Sequence, residues 1–428
     1  MKNTLFKSTF ILLIGGIITK ILSMIIRIVL SRMLGENLGS YMIIIPTFTL
    51  LISLASLGLP GAISKLVAEE KRNNKNLVFS IIPITLLFDL FIIAIIILLS
   101  DFISTKLLHL EGYKYVIISM GLVLPFIDIS SVLRGYFFGK QKMIPHVISN
   151  ITEDIIRLIV IIIFLPYFLK KGIINAVIFI ILTNIISELT SILVLFIFLP
   201  KNFSISKKDF KLNYKNIEDT MKIGIPSTMS RLVGSIGYFL EPIILTYVLL
   251  NIGYDNNFIT HEYGVIEGLV MPILLLPSFF TYSISSALLP IISKSHINKE
   301  YTYTKKKIKQ AVFYSLVIGI PFTILIMIYP NIPLNILYHT NDGINYIRFL
   351  APICLLHYIQ APLTSAMQAM NMANSAFKGT LIGTIIRIVS LFILCYLNIG
   401  LYSLLISTGI NMLYVTLHHM KKIKNHLR

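Results

Sequence analysis

The sequence predicts an all-α polytopic membrane protein of about 12 transmembrane helices. They form two six-helix bundles related by a pseudo-twofold axis along the membrane normal. Three observations predict this. Of 428 residues, 56% are hydrophobic and only 13% charged, about half the roughly 25% charge of soluble domains. Twelve apolar runs have the length of roughly 20 residues that crosses about 30 Å of hydrocarbon. The chain also repeats itself. Leu59-Pro60 with Ile63-Ser64-Lys65 recurs as Leu289-Pro290 with Ile292-Ser293-Lys294, and Ile155-Ile156-Arg157 recurs as Ile385-Ile386-Arg387, both at an offset of 230 residues. A duplicated polytopic chain is the pattern of transporters, whose halves rock to give alternating access.

The predicted spans run near 9–33, 41–66, 77–100, 114–138, 147–168, 173–199, 221–250, 264–291, 310–330, 345–371, 376–397 and 400–419. Lys2 and Lys7 before the first run resemble a signal peptide, but no small-residue cleavage site follows and the run continues past Lys20 and Arg27, so the first span is read as uncleaved. Pro83, Pro272 and Pro277 interrupt spans, and Pro226, Gly234 and Gly237 mark close packing or a bend in the seventh. Six spans, a connector and six spans give an N-terminal bundle at 1–200, a connector at 201–220 and a C-terminal bundle at 221–428. Six is even, so the repeat is parallel and not inverted. In the connector Lys207, Lys211 and Lys215 lie on one face and Phe210, Tyr214, Ile217 and Met221 on another, as in an interfacial amphipathic helix; a solvated linker satisfies the same charges.

The net charge of +18 is a topology signal, not a nucleic-acid footprint. Sorted by alternate loops, 26 Lys and Arg fall on the side of the N-terminus, six on the other and five within spans. That bias puts both termini in the cytoplasm. Cys354 and Cys395 lie in separate spans without partners at metal-ligand spacing and read as small packing residues. The sequence contains no phosphate loop, nucleophile elbow or HExxH, and no loop long enough for a catalytic module, so an enzyme and a bound cofactor are not expected.

Polar residues inside spans carry the functional reading, because a charge at the helix centre costs about 2.5–3.5 kcal/mol on insertion scales. Lys20 and Arg27 are two helical turns apart on one face of the first span, about 10 Å from each other. Two stacked cations suit an anionic ligand such as a phosphate; the competing reading pairs them with carboxylates from Asp89, Asp128, Glu153, Asp154, Glu188, Glu241 and Glu267. In the seventh span Arg231 and Tyr238 share a face, with Glu241 near the next turn. Substrate binding is therefore assigned to Lys20, Arg27, Arg231 and Tyr238, and coupling to a proton, sodium or the membrane potential to Glu241, Asp128 and Glu267. Glu153 and Arg157 are one turn apart and expected to pair. Arg387 has no acid one turn away and reads as an interfacial anchor. His357 reads as a hydrogen-bonded packing histidine.

Thr19-Lys20-Ile21-Leu22 leading to Arg27-Ile28-Val29 and Arg32, Leu57-Gly58-Leu59-Pro60 running into Ala62–Glu69, and Ser130-Ser131-Val132-Leu133-Arg134-Gly135-Tyr136-Phe137 with Gly139-Lys140-Gln141 resemble the stage V sporulation protein B group. That group belongs to the polysaccharide-transporter branch of the multidrug/oligosaccharidyl-lipid/polysaccharide flippase superfamily. Leu289-Pro290 with Ile292-Ser293-Lys294 is similar, more loosely, to lipid II flippases of the MurJ type. The resemblance implies a V-shaped flippase moving undecaprenyl-linked sugars across a bacterial plasma membrane or forespore outer membrane, with a link to spore cortex peptidoglycan. MurJ-type flippases carry arginines in the second span, where residues 41–66 have none.

The function expected is a flippase for an undecaprenyl-linked glycan, a peptidoglycan or polysaccharide precursor, acting as a monomer among membrane lipids by alternating access. One alternative is a multidrug/cation antiporter of the same fold, which calls for cavity carboxylates without facing cations. Another is a membrane glycan polymerase, which calls for an acidic cluster on long loops.

Overall fold

The structure, a computed structural model, describes residues 2–69, 73–200 and 213–427, with side chains from residue 11 onward except those of Leu13 and Ser230. Most of the connector expected at 201–220 lies outside the described residues. In hydrocarbon no water satisfies a free backbone amide, so each span must close its own hydrogen bonds as a helix. The described residues contain helices and no strand.

In chain order the helices are α1 (Lys2–Leu34), α2 (Leu38–Met42), α3 (Ile45–Ala55), α4 (Leu59–Ala68), α5 (Asn74–Asp101), α6 (Lys114–Gly139), α7 (Met143–Lys170) and α8 (Ile173–Ile197). They continue with α9 (Tyr214–Ile252), α10 (Asn256–Gly264), α11 (Met271–Leu274), α12 (Ser278–Ile297), α13 (Tyr301–Ile328), α14 (Asn331–Tyr338), α15 (Ile344–Ala369), α16 (Ala373–Tyr396) and α17 (Tyr402–His426). The twelve expected spans coincide with α1, α3–α4, α5, α6, α7, α8, α9, α10–α12, α13, α15, α16 and α17. Among the described residues nine spans are long and apolar enough to cross a membrane unaided, and α10–α12 makes a tenth with a bend of 53°. α7, with Glu153, Asp154 and Arg157, and α17, with paired histidines at its end, are the more polar members.

The breaks have local causes. The second span breaks at Gly58, whose φ of 66° is left-handed; a Cβ there would overlap the Gly224 carbonyl of α9, so glycine is required twice over. The eighth span passes through a π-helical turn at Val265–Val270 and is interrupted where Pro277 precedes α12.

Two compact units emerge, one of Met1–Gly35 and Ile44–Phe239, the other of Glu36–Ile43 and Leu240–Arg428. The seam therefore lies within α9, a helix the sequence assigns whole to the second half. The first part of α9 is held in the N-terminal unit by a polar face. Asn216 donates to Asn76 Oδ1 at 3.0 Å and to Ser80 Oγ at 3.3 Å, and Ser235 and Ser53 hydroxyls meet at 2.7 Å. Conversely α2 belongs to the C-terminal unit. Gly39 and Gly264 lie so close that a Cβ on Gly39 would overlap the Thr260 carbonyl. Elsewhere the cores are apolar: Leu59, Ile63, Leu77, Ile81, Val132 and Phe137 in the N-terminal unit, and Leu288, Ile292, Leu363, Ala366 and Met367 in the C-terminal one.

The repeat is carried through helix by helix. Shifted by 230, α6 falls on α15 and α7 begins where α16 begins, as their bounds Lys114–Gly139, Ile344–Ala369, Met143–Lys170 and Ala373–Tyr396 give.

Candidate functional site

The cations of the first span sit on α1 beside its packing stripe. Ile26, Leu30 and Leu34 are buried, and Gly15 is pressed against Val147 of α7. Lys20 and Arg27 lie about 100° around the helix from that line and are exposed. With exposed Gly16 and Ser23 they form one flank; a Cβ on Gly16 would meet nothing within 4 Å, so this flank is not covered by a helix of the N-terminal unit. Neither cation has an ion-pair or hydrogen-bond partner among the described residues.

Arg231 is likewise exposed, and its Nη2 donates a long hydrogen bond of 3.4 Å to Ser56 Oγ at the end of α3. Gly234, one turn on, borders open space. Tyr238 is half-buried one turn further. All four predicted binding residues, Lys20, Arg27, Arg231 and Tyr238, thus belong to the N-terminal unit; the sequence divides them between halves.

The carboxylates that could have neutralised these cations are engaged elsewhere. In the N-terminal unit Arg134 Nη2 donates to Glu153 Oε2 at 2.5 Å, to Glu188 Oε2 at 3.3 Å and to Ser191 Oγ at 2.9 Å. Arg157 Nη2 donates to Glu153 Oε1 at 2.7 Å, the pairing that the one-turn spacing predicts, and also reaches Ser187 Oγ at 3.2 Å. Asp154 lies 3.9 Å from Arg157. This brace ties α6, α7 and α8 together. Asp89 and Asp128, fully buried on α5 and α6, face each other, and the other charge beside Asp128 is that of Glu188.

In the C-terminal unit Glu241 is fully buried and forms an ion pair with Arg387 of α16. Arg387 is therefore no interfacial anchor; its guanidinium neutralises a carboxylate within the unit. Tyr263 and Glu267 are the other neighbours of Glu241, and Glu267 is half-buried on the π-helical turn. The three predicted coupling residues fall in different units: Asp128 is in the N-terminal unit, Glu241 and Glu267 in the C-terminal one.

Arg134 is the residue that sequence reasoning misplaces. The sorting of charges counts it with the loop cations although it lies within the predicted span 114–138; in the structure it is inside α6, its side chain 18% exposed. The available signal was its place in the Ser130–Phe137 stretch, flanked by apolar residues on both sides.

Known proteins share this architecture. Residues 5–296 match the family described as "Polysaccharide biosynthesis protein". Stage V sporulation protein B of Bacillus subtilis (strain 168) is 32% identical over 98% of this chain and 83% of its own length. Lipid II flippase MurJ of the same organism is 23% identical over 96% of this chain and 79% of its own length. A solved multidrug resistance MATE family transporter of the MOP superfamily, in an inward-facing conformation, superposes with a TM-score of 0.72 at 17% identity, covering 96% of this chain and 94% of its own. The helical fold and these relatives define a multi-pass membrane transporter, not an enzyme. Within that class, the chain belongs to the polysaccharide biosynthesis protein family, and it is similar to stage V sporulation protein B.

Proposed function

We propose that the protein is a flippase that moves an undecaprenyl-linked glycan across the bacterial plasma membrane by alternating access, and that Lys20, Arg27 and Arg231 bind the anionic pyrophosphate. The observation that carries this reading is the exposed α1 flank: two cations two turns apart in a membrane span, without a carboxylate partner among the described residues, while Glu153, Glu188 and Glu241 are occupied by Arg134, Arg157 and Arg387. A cation kept in a span without a counter-ion is retained for a ligand. A pyrophosphate gains charge-assisted hydrogen bonds from such groups, which a cationic drug does not. Tyr238 extends the same face. Of the carboxylates considered for coupling, Glu241 is already neutralised by Arg387, so Asp128, which faces Asp89, and Glu267 are the groups left to respond to a proton or sodium.

The sorted charges support a topology with both termini in the cytoplasm. A single cysteine at residue 208 in a Cys354/Cys395-less background should resist an impermeant thiol reagent applied outside.

The test of function is depletion followed by identification of the undecaprenyl-linked intermediate that accumulates in the inner leaflet. Arg27→Ala and Arg231→Ala should fail to clear it while inserting normally, and Lys20→Arg should clear it in part, since charge survives but geometry changes. Normal clearance by Arg27→Ala, Arg231→Ala and Lys20→Ala alike would reject the anionic site.

A further inference from the structure

We propose that the C-terminal unit carries a recognition site for the sugar of the lipid-linked substrate, in the cavity between α12 and α15; this rests on the flippase reading above. The cavity has a volume of about 340 Å³ and is lined by Thr281 and Tyr282 of α12 and by His357, Gln360, Thr364 and Gln368 of α15, among others. The α15 residues recur at steps of three and four, one polar stripe about 16 Å long on a single face. α15 has the lowest mean hydropathy of the nine unaided spans, 1.2. Polar groups in a span are costly, so a stripe of them needs a reason.

Helix packing accounts for part of it. Gln360 Nε2 donates to the Met412 carbonyl at 2.9 Å and to Thr416 Oγ1 at 3.1 Å, and Thr364 Oγ1 meets His419 Nδ1 at 3.4 Å, which ties α15 to α17. His357 rests against Gln360. These bonds orient the stripe but leave its cavity end unused: Gln368 is exposed, and the Tyr282 ring is 56% exposed.

The lining chemistry selects the ligand class. Among the described residues no Lys, Arg, Asp or Glu lines the cavity, so it offers a phosphate no counter-charge and a drug cation no carboxylate. Amide, imidazole and hydroxyl groups donate and accept without charge, and an accessible aromatic ring supplies an apolar plane. That set fits a neutral polyhydroxylated ring, whose edge hydroxyls need both donors and acceptors and whose C–H face needs a flat apolar surface. With about 30 Å³ as the share of a liquid water, the cavity holds roughly ten waters, or one sugar ring in their place.

The site belongs to one unit alone. The positions 230 earlier are Leu51, Ile52, Ile127, Ser130, Arg134 and Phe138, of which four are apolar and Arg134 is committed to Glu153 and Glu188. The repeat supplies the helices; the polar stripe was installed in only one copy.

The experiment uses the full-length protein in nanodiscs with undecaprenyl diphosphate bearing N-acetylglucosamine, carrying a diazirine either on the sugar or on the lipid tail. The sugar probe should label peptides from α12 and α15, be competed by unlabelled glycosylated lipid and not by undecaprenyl diphosphate alone. His357→Leu and Gln368→Leu should each lower that labelling about three- to tenfold, as expected for one lost hydrogen bond, with tail labelling unchanged. Unchanged tail labelling also certifies that the variants are folded. Sugar labelling confined to other helices in a protein that still clears its substrate overturns the site and leaves the flippase reading intact. Failure of both probes to label, in a protein that clears nothing, overturns the two together.

Discussion

Arg157 on α7 and Arg387 on α16 are the same residue in the two copies of the repeat, yet they are anchored differently. Arg157 bonds Glu153 on its own helix. The position equivalent to Glu153 is Gly383, so Arg387 has no acid on its own helix and turns to Glu241 of α9. The contrast extends inward. Asp89 and Asp128 face each other in the N-terminal unit; their counterparts are Gly319 and Tyr358, where the ring of a fully buried tyrosine packs over the glycine and its hydroxyl donates to the Leu274 carbonyl at 2.6 Å. Arg134, centre of the N-terminal brace, becomes Thr364, which borders a cavity. One copy has spent its polar positions on a shared charge network. The other pairs Arg387 with Glu241 and has neutral groups at these equivalent positions, and so has space left over. A duplicated helix scaffold therefore does not imply duplicated function; it gives two backgrounds in which polar positions diverge.

This contrast makes graded predictions, readable as thermal unfolding of the purified protein. Arg387→Ala should be the most damaging, about 3–5 kcal/mol, because Glu241 is fully buried and its charge is left uncompensated. Glu241→Gln in that background should restore much of the loss; if it restores nothing, the pair is not what anchors α9 to α16. Arg134→Ala should come next, near the lower end of the same range, since Glu188 loses its closest cation while Glu153 keeps Arg157. Its counterpart Arg157→Ala should cost only about 1 kcal/mol, because Glu153 keeps Arg134. An Arg157 effect as large as that of Arg387 would break the distinction between network and single pair. Smallest should be Thr364→Ala, under about 1 kcal/mol, where one long contact to His419 is lost.

The helices were legible because the bilayer makes hydropathy a direct reading of structure: an uninterrupted apolar run must close its own backbone bonds, and Lys114–Gly139 or Ile173–Ile197 follow from that alone. The Glu153–Arg157 pair was legible because helix geometry places residues four apart together. The Glu241–Arg387 pair was not, since nothing local links residues on α9 and α16. Nor was the membership of α2, five residues long, whose placement depends on two glycines meeting across distant segments. Lys20, Arg27 and Arg231 stand out as charges in spans, but hydropathy carries no information on which flank of a helix is covered; that required the packing of α1 on α7. The α15 stripe was hidden in the same way, because each of its residues, taken alone, passes as an ordinary packing residue.

The short helix α2 sets a timing problem for synthesis. Its partner in the C-terminal unit, Thr260 of α10, leaves the ribosome some 220 residues later, which at 5–20 residues per second is on the order of 10 to 45 seconds. Through that interval Gly39 faces no backbone, and the unit to which it belongs does not exist. The N-terminal unit is likewise incomplete until the first part of α9 arrives to fill the position beside Asn76 and Ser80. Neither unit can therefore finish before the other has begun, and a chain cut in the connector should yield two fragments that are recovered together or not at all.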